Sequence, residues 1–547
     1  MNMMKIRKYA NYAMVFCLLV WGTQFLTGCA ESDHIDEYTF NKVNKPNEPE
    51  SPTSDEVIEA LEKIPGVSDV TVKYSEKDPN EYGYYFNVQQ LIDHKNPKSG
   101  TFKQRCYLKY GGWERPVVLD TEGYRLSPTL EDVDDEQDLV KHLKANYLSV
   151  EYRYFGTSLP EAFENTNFTY LYSDQAAADL HDIVTLIQKH LFPRNNKWVA
   201  TGVSKGGINA ALYAYYSDKN GWNDIDLFMP FCAPFIKASK ESCLDIGLGY
   251  YLINCCGNGY PEGSQEAVAY KRLCALPAAI SGNKQLRDAC LRRFHQELPD
   301  TYKPLLDYYE GEKLEKAAIA SVINNFYTNL QLFFSYKQYS TWAKFVPDVS
   351  KATKPDADIS DIFQVVEFVF MKQEQLEKMI DADNMTGGSG RRSPLDDNDI
   401  IVFRKSDNSM PYYLQSYREL GSLINDFSLV DGTFLTKKFA EEVAYLSTVE
   451  SQFSKRFPNQ WDGGKLMTDV HKWAATTTTQ PIIFTYSYND PWTGNAIDDA
   501  VHNPSHKVWK VLNLVGTHSN EFLKPDKCDA KASQTIKDAI KTVLGEF

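Results

Sequence analysis

Long apolar runs are scarce in this chain. Beyond the first 28 residues, no stretch approaches the ~20 apolar residues that a membrane-spanning helix needs. Basic blocks are also missing, and a net charge of −15 opposes a nucleic-acid partner. The acidity reads as ordinary solubility of an exported protein. No Cys/His spacing matches a zinc site. No internal repeat is visible, and no metal or organic cofactor is implied. What the chain has in plenty is length and apolar content. Its 547 residues exceed one ordinary core and predict either several domains or one domain with a large insertion.

The N-terminus carries the marks of export. Lys5, Arg7 and Lys8 precede an apolar stretch from Ala13 to Val20, too short and too interrupted for a membrane span. Leu26-Thr27-Gly28-Cys29 has the form of a bacterial lipobox, with Cys29 the lipidated residue. Residues 1–28 are then a lipoprotein signal peptide, and 29–52, rich in Pro, Asn and Glu, a flexible tether. Glu31, Asp33, Asp36 and Glu37 follow the cysteine, as in some lipoproteins displayed by Gram-negative bacteria. The expectation is an exported lipoprotein at the outer membrane or cell surface, held there by its lipid alone. Five cysteines cluster at 243, 255, 256, 274 and 290. In an exported protein they predict one or two disulfides.

One motif carries the chemistry. Gly202-Val203-Ser204-Lys205-Gly206 follows the strand-like Lys197-Trp198-Val199-Ala200 and opens a helical run from Gly207 to Tyr216. Strand, tight turn and helix are the context in which Gly-x-Ser-x-Gly places a serine on a nucleophile elbow. A serine alone is a weak nucleophile and needs a base and a group to orient that base. On an α/β-hydrolase sheet these follow in the chain order Ser, Asp or Glu, His. Pro481 to Tyr486 reads as a buried strand and leads to Asn489-Asp490-Pro491-Trp492. Trp509 to Val515 reads as the next strand and leads to Gly516-Thr517-His518. Both residues sit just past the C-terminal end of a strand, where open α/β sheets build their sites. The expected triad is Ser204, Asp490 and His518. The oxyanion hole needs two backbone N–H groups: one from Lys205, and one from Gly123 or Tyr124 in the loop after the strand Pro116 to Leu119.

The remaining pattern assigns the architecture. Strands at 68–74, 84–92, 102–110, 116–119, 147–152, 197–200 and 226–231 are joined in the later part by helices at 130–145 and 173–190. Alternation of this kind implies a mainly parallel sheet with right-handed crossovers. From 236 to 478 the alternation stops and helical patterns dominate, as at 310–345 and 360–380, with a polar glycine-rich loop at 381–399. The fold class is therefore an α/β-hydrolase core, 53–235 and 479–547, with a large inserted helical cap over the site. One helix is expected at 494–502, between the acid and the last strand.

Several stretches together resemble the lysosomal Pro-X carboxypeptidase and dipeptidyl peptidase II family. They are Gln90 to His94 with Gly100 to Arg105, Glu122-Gly123, Glu151 to Ser158, Tyr170 to Ala176, Gly202 to Gly207 and Asn489 to Gly494. Ile64-Pro65-Gly66-Val67 and Gly516-Thr517-His518 are closer to a bacterial sister group, the secreted tripeptidyl aminopeptidases. The resemblance implies a Ser-Asp-His exopeptidase acting on short peptides, often after proline. Glu151-Tyr152-Arg153 departs from the Glu-His-Arg of the lysosomal members, and the Glu122-Gly123 loop has one glycine fewer. An aminopeptidase must bind a free α-amino group, for which Glu122, Glu151 and Asp174 are candidates by position. Trp492 is a candidate wall for the residue before the cut. A Pro-X type carboxypeptidase or an esterase on the same fold, or a surface lipoprotein that captures peptides without cutting them, are the competing expectations.

Overall fold

The computed structural model describes residues 54–74, 82–126, 137–161, 167–192, 196–236, 244–245, 249–257, 259–298, 305–306, 309–332, 334–371, 375–376, 378–379, 409–421, 424–425 and 459–546. The signal peptide, Cys29, the tether, Cys243 and the 381–399 loop lie outside them.

Nine strands form one sheet. They are β1 Val67–Tyr74, β2 Tyr82–Leu91, β3 Thr101–Lys109, β4 Val117–Asp120, β5 Asn146–Val150, β6 Trp198–Val203, β7 Leu227–Phe231, β8 Ile482–Ser487 and β9 Val508–Asn513. Their order across the sheet is β1-β2-β3-β5-β4-β6-β7-β8-β9. The pairs from β1 to β3, and β3 with β5, are antiparallel; every later pair is parallel. This is the mainly parallel hydrolase sheet expected. Strands β4, β5, β7 and β8 are buried along their whole length, because helices cover both faces. Such strands read as continuous apolar runs, which made them legible in the sequence.

The helices of the core are α1 Ser54–Glu62, α2 Asp138–Leu143, α3 Ser173–His190 and α4 Lys205–Asn220. One sheet face packs on Ile183, Val184, Ile187, Ile208, Leu212 and Tyr213 of α3 and α4. The other packs on α2 and the C-terminal helix through Leu139, Ile536 and Ile540. Buried between β2 and α3, Arg153 makes two 2.7 Å bonds to Asp179 and also donates to the carbonyls of Leu91, Ile92 and Tyr170. Arg153 thus ties the antiparallel strands to the parallel part, and its ion-pair partner is Asp179, not Glu151.

The insertion has its own core. Helices α5 Gln265–Gly282, α6 Lys284–Glu297, α7 Gly311–Leu332 and α8 Ile359–Val369 close around Leu273, Leu286, Phe294, Ile323, Phe326 and Trp342. Ser264, Asn283 and Asp358 cap α5, α6 and α8 with side-chain oxygens. Helix α9 Lys465–Thr476, placed in the cap by its position before residue 478, packs instead on the hydrolase core. Its Trp473 meets the Tyr215 ring and donates to Asp218 at 2.7 Å. The helix expected at 494–502 is absent. Three short 3₁₀ turns, Pro491–Asn495, Asp499–Val501 and Pro504–His506, take its place. The C-terminal helix, α10, spans Ala530–Leu544.

The disulfides expected in the cap are not found among the described cysteines. Cys255, Cys256, Cys274 and Cys290 are all free thiols. Cys255, Cys256 and Cys290 are packed into the cap core as small apolar groups, which is how free cysteine usually behaves.

Candidate active site

Ser204 sits where β6 ends and α4 begins, with φ 57° and ψ −121°. A side chain rarely adopts this conformation, and it is held here by its surroundings. The Ser204 N–H donates to Phe231 O of β7 at 3.0 Å, and its carbonyl accepts from Ile208. The glycines are steric requirements. A Cβ on Gly202 would lie 2.4 Å from the Gly206 carbonyl carbon, and one on Gly207 would lie 2.7 Å from Phe231 O. Strand and helix therefore approach more closely than any side chain permits.

Asp490 follows β8 and is fully buried. Its Oδ2 lies 2.9 Å from His518 Nδ1, and its Oδ1 accepts the Trp492 N–H at 3.1 Å. Asn489 secures the two loops to each other, its N–H and its side-chain amide both donating to Gly516 O at 3.1 Å. His518 is itself buried. The end of β7 joins this pair to the elbow. Phe231 accepts from Ser204, and the next residue, Cys232, places Sγ within 4.8 Å of ligand atoms of both Asp490 and His518. The thiol is buried, and burial together with the Asp490 charge pushes its pKa up, so it remains a neutral thiol. No ion is needed to explain this cluster, because hydrogen bonds within it already engage the aspartate and the histidine.

The loop after β4 lies against the elbow. Thr121 Oγ1 donates to Thr201 O and Gly206 O at 3.0 and 2.8 Å, and Asn209 of α4 holds Glu122 O at 2.9 Å. A Cβ on Gly123 would lie 2.9 Å from both Gly206 N and Lys205 Cβ, so a larger residue would push the loop off the helix start. Gly123 and Tyr124 thus lie beside the Ser204 elbow. In this state their N–H groups are engaged: both donate to Glu122 Oε1, at 2.7 and 3.2 Å. Burial, and then the Asp120 charge, push the Glu122 carboxyl up to about 8.

The other residues expected at the site divide. Glu151 is spent on its own loop. Its Oε1 accepts from Thr157 N, Ser158 N and Ser158 Oγ at 2.8–3.0 Å, and its Oε2 from Leu126 N. Such a carboxylate is a structural clasp with little capacity left for a ligand. Asp174 opens α3, pairs with Lys95 at 2.6 Å and lines a cleft of about 500 Å³. That cleft is also lined by Tyr172, Tyr215, Tyr216 and Glu419. Trp492 is buried, belongs to the cap core and tilts over His518 with ring centroids 6.4 Å apart.

Three neighbours of the site had no signal in the sequence. Tyr336 of the cap meets the His518 ring edge-on at 5.6 Å. Gln338, two residues on, donates to Val515 O of the histidine loop at 2.7 Å. Glu419 is bonded to Ser173, 246 residues away in the chain, and burial pushes its carboxyl up to about 7. Cap residues show no motif because only their spatial neighbours give them a role. Cys232 had a weak signal, since it directly follows a buried strand at the end where sites form.

Residues 50–249 match the family described as PS-10 peptidase S37. Over this segment the chain is similar to that peptidase family. The segment contains the elbow, the Glu122 loop and Glu151. The chain is 35% identical over 164 residues to a prolyl tri/tetrapeptidyl aminopeptidase of Streptomyces mobaraensis, covering 29% of this chain and 31% of that protein. The serine protease vicPb of Bipolaris victoriae is 26% identical over 203 residues, 32% of this chain and 38% of that protein. The alignments thus span about a third of these relatives. Among solved structures, the rice cell wall degrading esterase LipA of Xanthomonas oryzae aligns over 88% of this chain and 98% of its own, at 11% identity and a TM-score of 0.33.

Proposed function

We propose that this protein is a serine exopeptidase that removes short peptides, tripeptides or dipeptides, from free N-termini through an acyl-enzyme. Ser204 attacks the scissile carbonyl, His518 takes its proton and returns it to the leaving amine, and Asp490 fixes the imidazole tautomer and stabilises the imidazolium. The Lys205 N–H and an N–H of Gly123 or Tyr124 face the developing oxyanion. The observation that carries the reading is the buried Asp490–His518 pair, together with the strained Ser204 that the end of β7 anchors through Phe231 O. The S37 match over the elbow supports peptides as substrates, and the S. mobaraensis relative, by its name, supports cleavage after proline near an N-terminus.

An exopeptidase of this kind must hold an ammonium group. Asp174 and Glu419, which line the cleft, and Glu122 beside the elbow are the carboxylates that favour one. Trp492 and Tyr336, flanking His518, form aromatic walls for the residue before the cut. The lipobox-like Leu26-Thr27-Gly28-Cys29 supports attachment to a membrane surface through a lipid on Cys29.

The test is mass spectrometry of peptide digests, with each peptide supplied free and N-acetylated, by the protein and by Ser204→Ala. Tripeptides or dipeptides released only from free N-termini, and only by the wild type, support the proposal. Loss of C-terminal residues would make it a Pro-X type carboxypeptidase. Absence of any Ser204-dependent cleavage of peptides, with turnover of esters, would make it an esterase. Binding without cleavage of either would make it a peptide-capturing lipoprotein.

A further inference from the structure

Two features beside the nucleophile are incomplete, each in a way the other can satisfy. The first is the loop after β4. If Gly123 or Tyr124 supplies an oxyanion donor, that donor is not free, because the Glu122 carboxylate accepts both N–H groups. Glu122 on two backbone N–H groups has the acceptor geometry of the oxyanion it would have to give way to and, once ionised above about pH 8, its charge as well. The second is the Lys205 side chain. It points away from solvent and is 1% exposed. Among the described residues its Nζ has no hydrogen-bond partner. It rests on aromatic faces instead, 3.5 Å from the Tyr152 ring centroid, 5.4 Å from Phe155 and 5.6 Å from Tyr124.

A buried ammonium without a hydrogen bond is costly even with aromatic faces around it. Its leading charged neighbour is Glu122, followed by Glu419 on the cap side. Tyr124, one of the two donors that Glu122 occupies, also contributes one of the rings under Nζ. A rotation of the Glu122 side chain from the loop N–H groups toward Nζ would therefore give the lysine its missing acceptor and empty the donors at the elbow.

We propose that Glu122 is a removable occupant of the oxyanion site, and that Lys205 is the positioning residue that draws it off the two N–H groups. The inference rests on Ser204 being the nucleophile and on this loop supplying an oxyanion donor. Lys205 then has two parts: its backbone N–H faces the oxyanion, and its side chain clears the other donor. Charges on every side enter the balance. Asp120, on β4, repels the Glu122 carboxylate; it is itself bonded to Gln137 and the Tyr147 hydroxyl. The loop N–H groups and Lys205 attract it. Burial lowers the proton affinity of Lys205, and an arriving carboxylate restores it, so that charge and movement reinforce each other. Above pH of about 8 Glu122 is ionised and holds the N–H groups most firmly, so the block tightens with rising pH.

The experiment uses an uncharged alkyl fluorophosphonate, which phosphonylates an activated serine. The Ser204 oxygen bonds to phosphorus as its proton passes to His518, fluoride leaves, and the phosphoryl oxygen takes the oxyanion position. The probe has no amine, so any role of Glu122 in holding a peptide N-terminus does not enter. Labelling rates are compared for the wild type, Glu122→Gln, Lys205→Met and the double variant, from pH 6 to pH 10. Methionine is one atom shorter but keeps an unbranched stem against the aromatic rings, and it keeps the backbone N–H. Glu122→Gln should label about tenfold faster than wild type, because an amide oxygen holds the N–H groups less strongly than a carboxylate. That ratio should grow as pH rises through about 8. Lys205→Met should label about tenfold slower, and the loss should vanish in the double variant, since nothing then needs drawing off. Equal slowing by Lys205→Met in both backgrounds, or slower labelling of Glu122→Gln, would overturn the proposal. Should Lys205→Met not fold, the pH trend of Glu122→Gln against wild type still decides. No labelling of the wild type at Ser204 would instead refute the nucleophile assignment itself.

Discussion

Replacing Asp490 by asparagine isolates the orienting role, because the structure dictates how the amide must sit. Asp490 is fully buried, with Oδ1 on the Trp492 N–H and Oδ2 on His518. Asparagine has one acceptor and one donor end. The backbone N–H of Trp492 can only donate, so the amide oxygen must face it. The flipped amide would leave a buried N–H without an acceptor, at a cost of about 1–3 kcal/mol. The amide NH₂ then points at His518 Nδ1 and makes that nitrogen the acceptor. The imidazole proton is forced onto Nε2, where the general base must be free to take the proton of Ser204. The expected loss in kcat is about 10⁴-fold, as in other triads of this design, with KM little changed. This corresponds to about 5.5 kcal/mol of transition-state stabilisation. The melting temperature should hold within a few degrees, since volume and burial are preserved. The assay is steady-state release of N-terminal peptides, or fluorophosphonate labelling, with nitrogen NMR of the imidazole to read the tautomer. A variant that keeps more than about a tenth of kcat would refute the assignment of Asp490 as the orienting acid.

Other outcomes follow from the same geometry. Gly202→Ala puts a methyl 2.4 Å from the backbone of Gly206 and should destabilise by at least about 2 kcal/mol or yield insoluble protein, as read by denaturant melts. Asp179→Ala strands the buried Arg153 guanidinium and should cost about 3–5 kcal/mol, with activity per folded molecule largely kept. Glu419 has a carboxyl raised to about 7, so the folded protein holds a proton that the unfolded chain releases from about pH 4.5 upward. Its stabilising contribution is therefore complete below about pH 4.5 and is lost as pH rises through about 7, at up to about 1.4 kcal/mol per pH unit. Glu419→Gln should flatten that part of the stability–pH curve in thermal melts, whereas an unchanged curve would mean that Glu419 is not the group responsible.

The sequence alone determined whatever is built from residues close together in the chain or from long buried strands. The elbow is readable because Gly202, Ser204 and Gly206 meet within five residues, and their spacing is itself the steric requirement. The sheet and the candidate acid are readable because strands such as β7 and β8 are buried along their whole length and Asp490 lies just past the end of β8. The tertiary structure decided the rest. Glu151 and Glu122 are both acidic residues beside strand ends, yet one is consumed by five loop donors while the other sits on N–H groups beside Ser204. Nothing in their local sequence distinguishes them, because hydrogen-bond partners are set by which loops the fold brings together. The described cap cysteines stay unbridged, and α9 joins the core despite preceding the last two strands, for the same reason. A side chain's chemistry is local, but its solvation and its partners belong to the whole fold, and these decide whether a carboxylate binds, blocks or merely holds a turn.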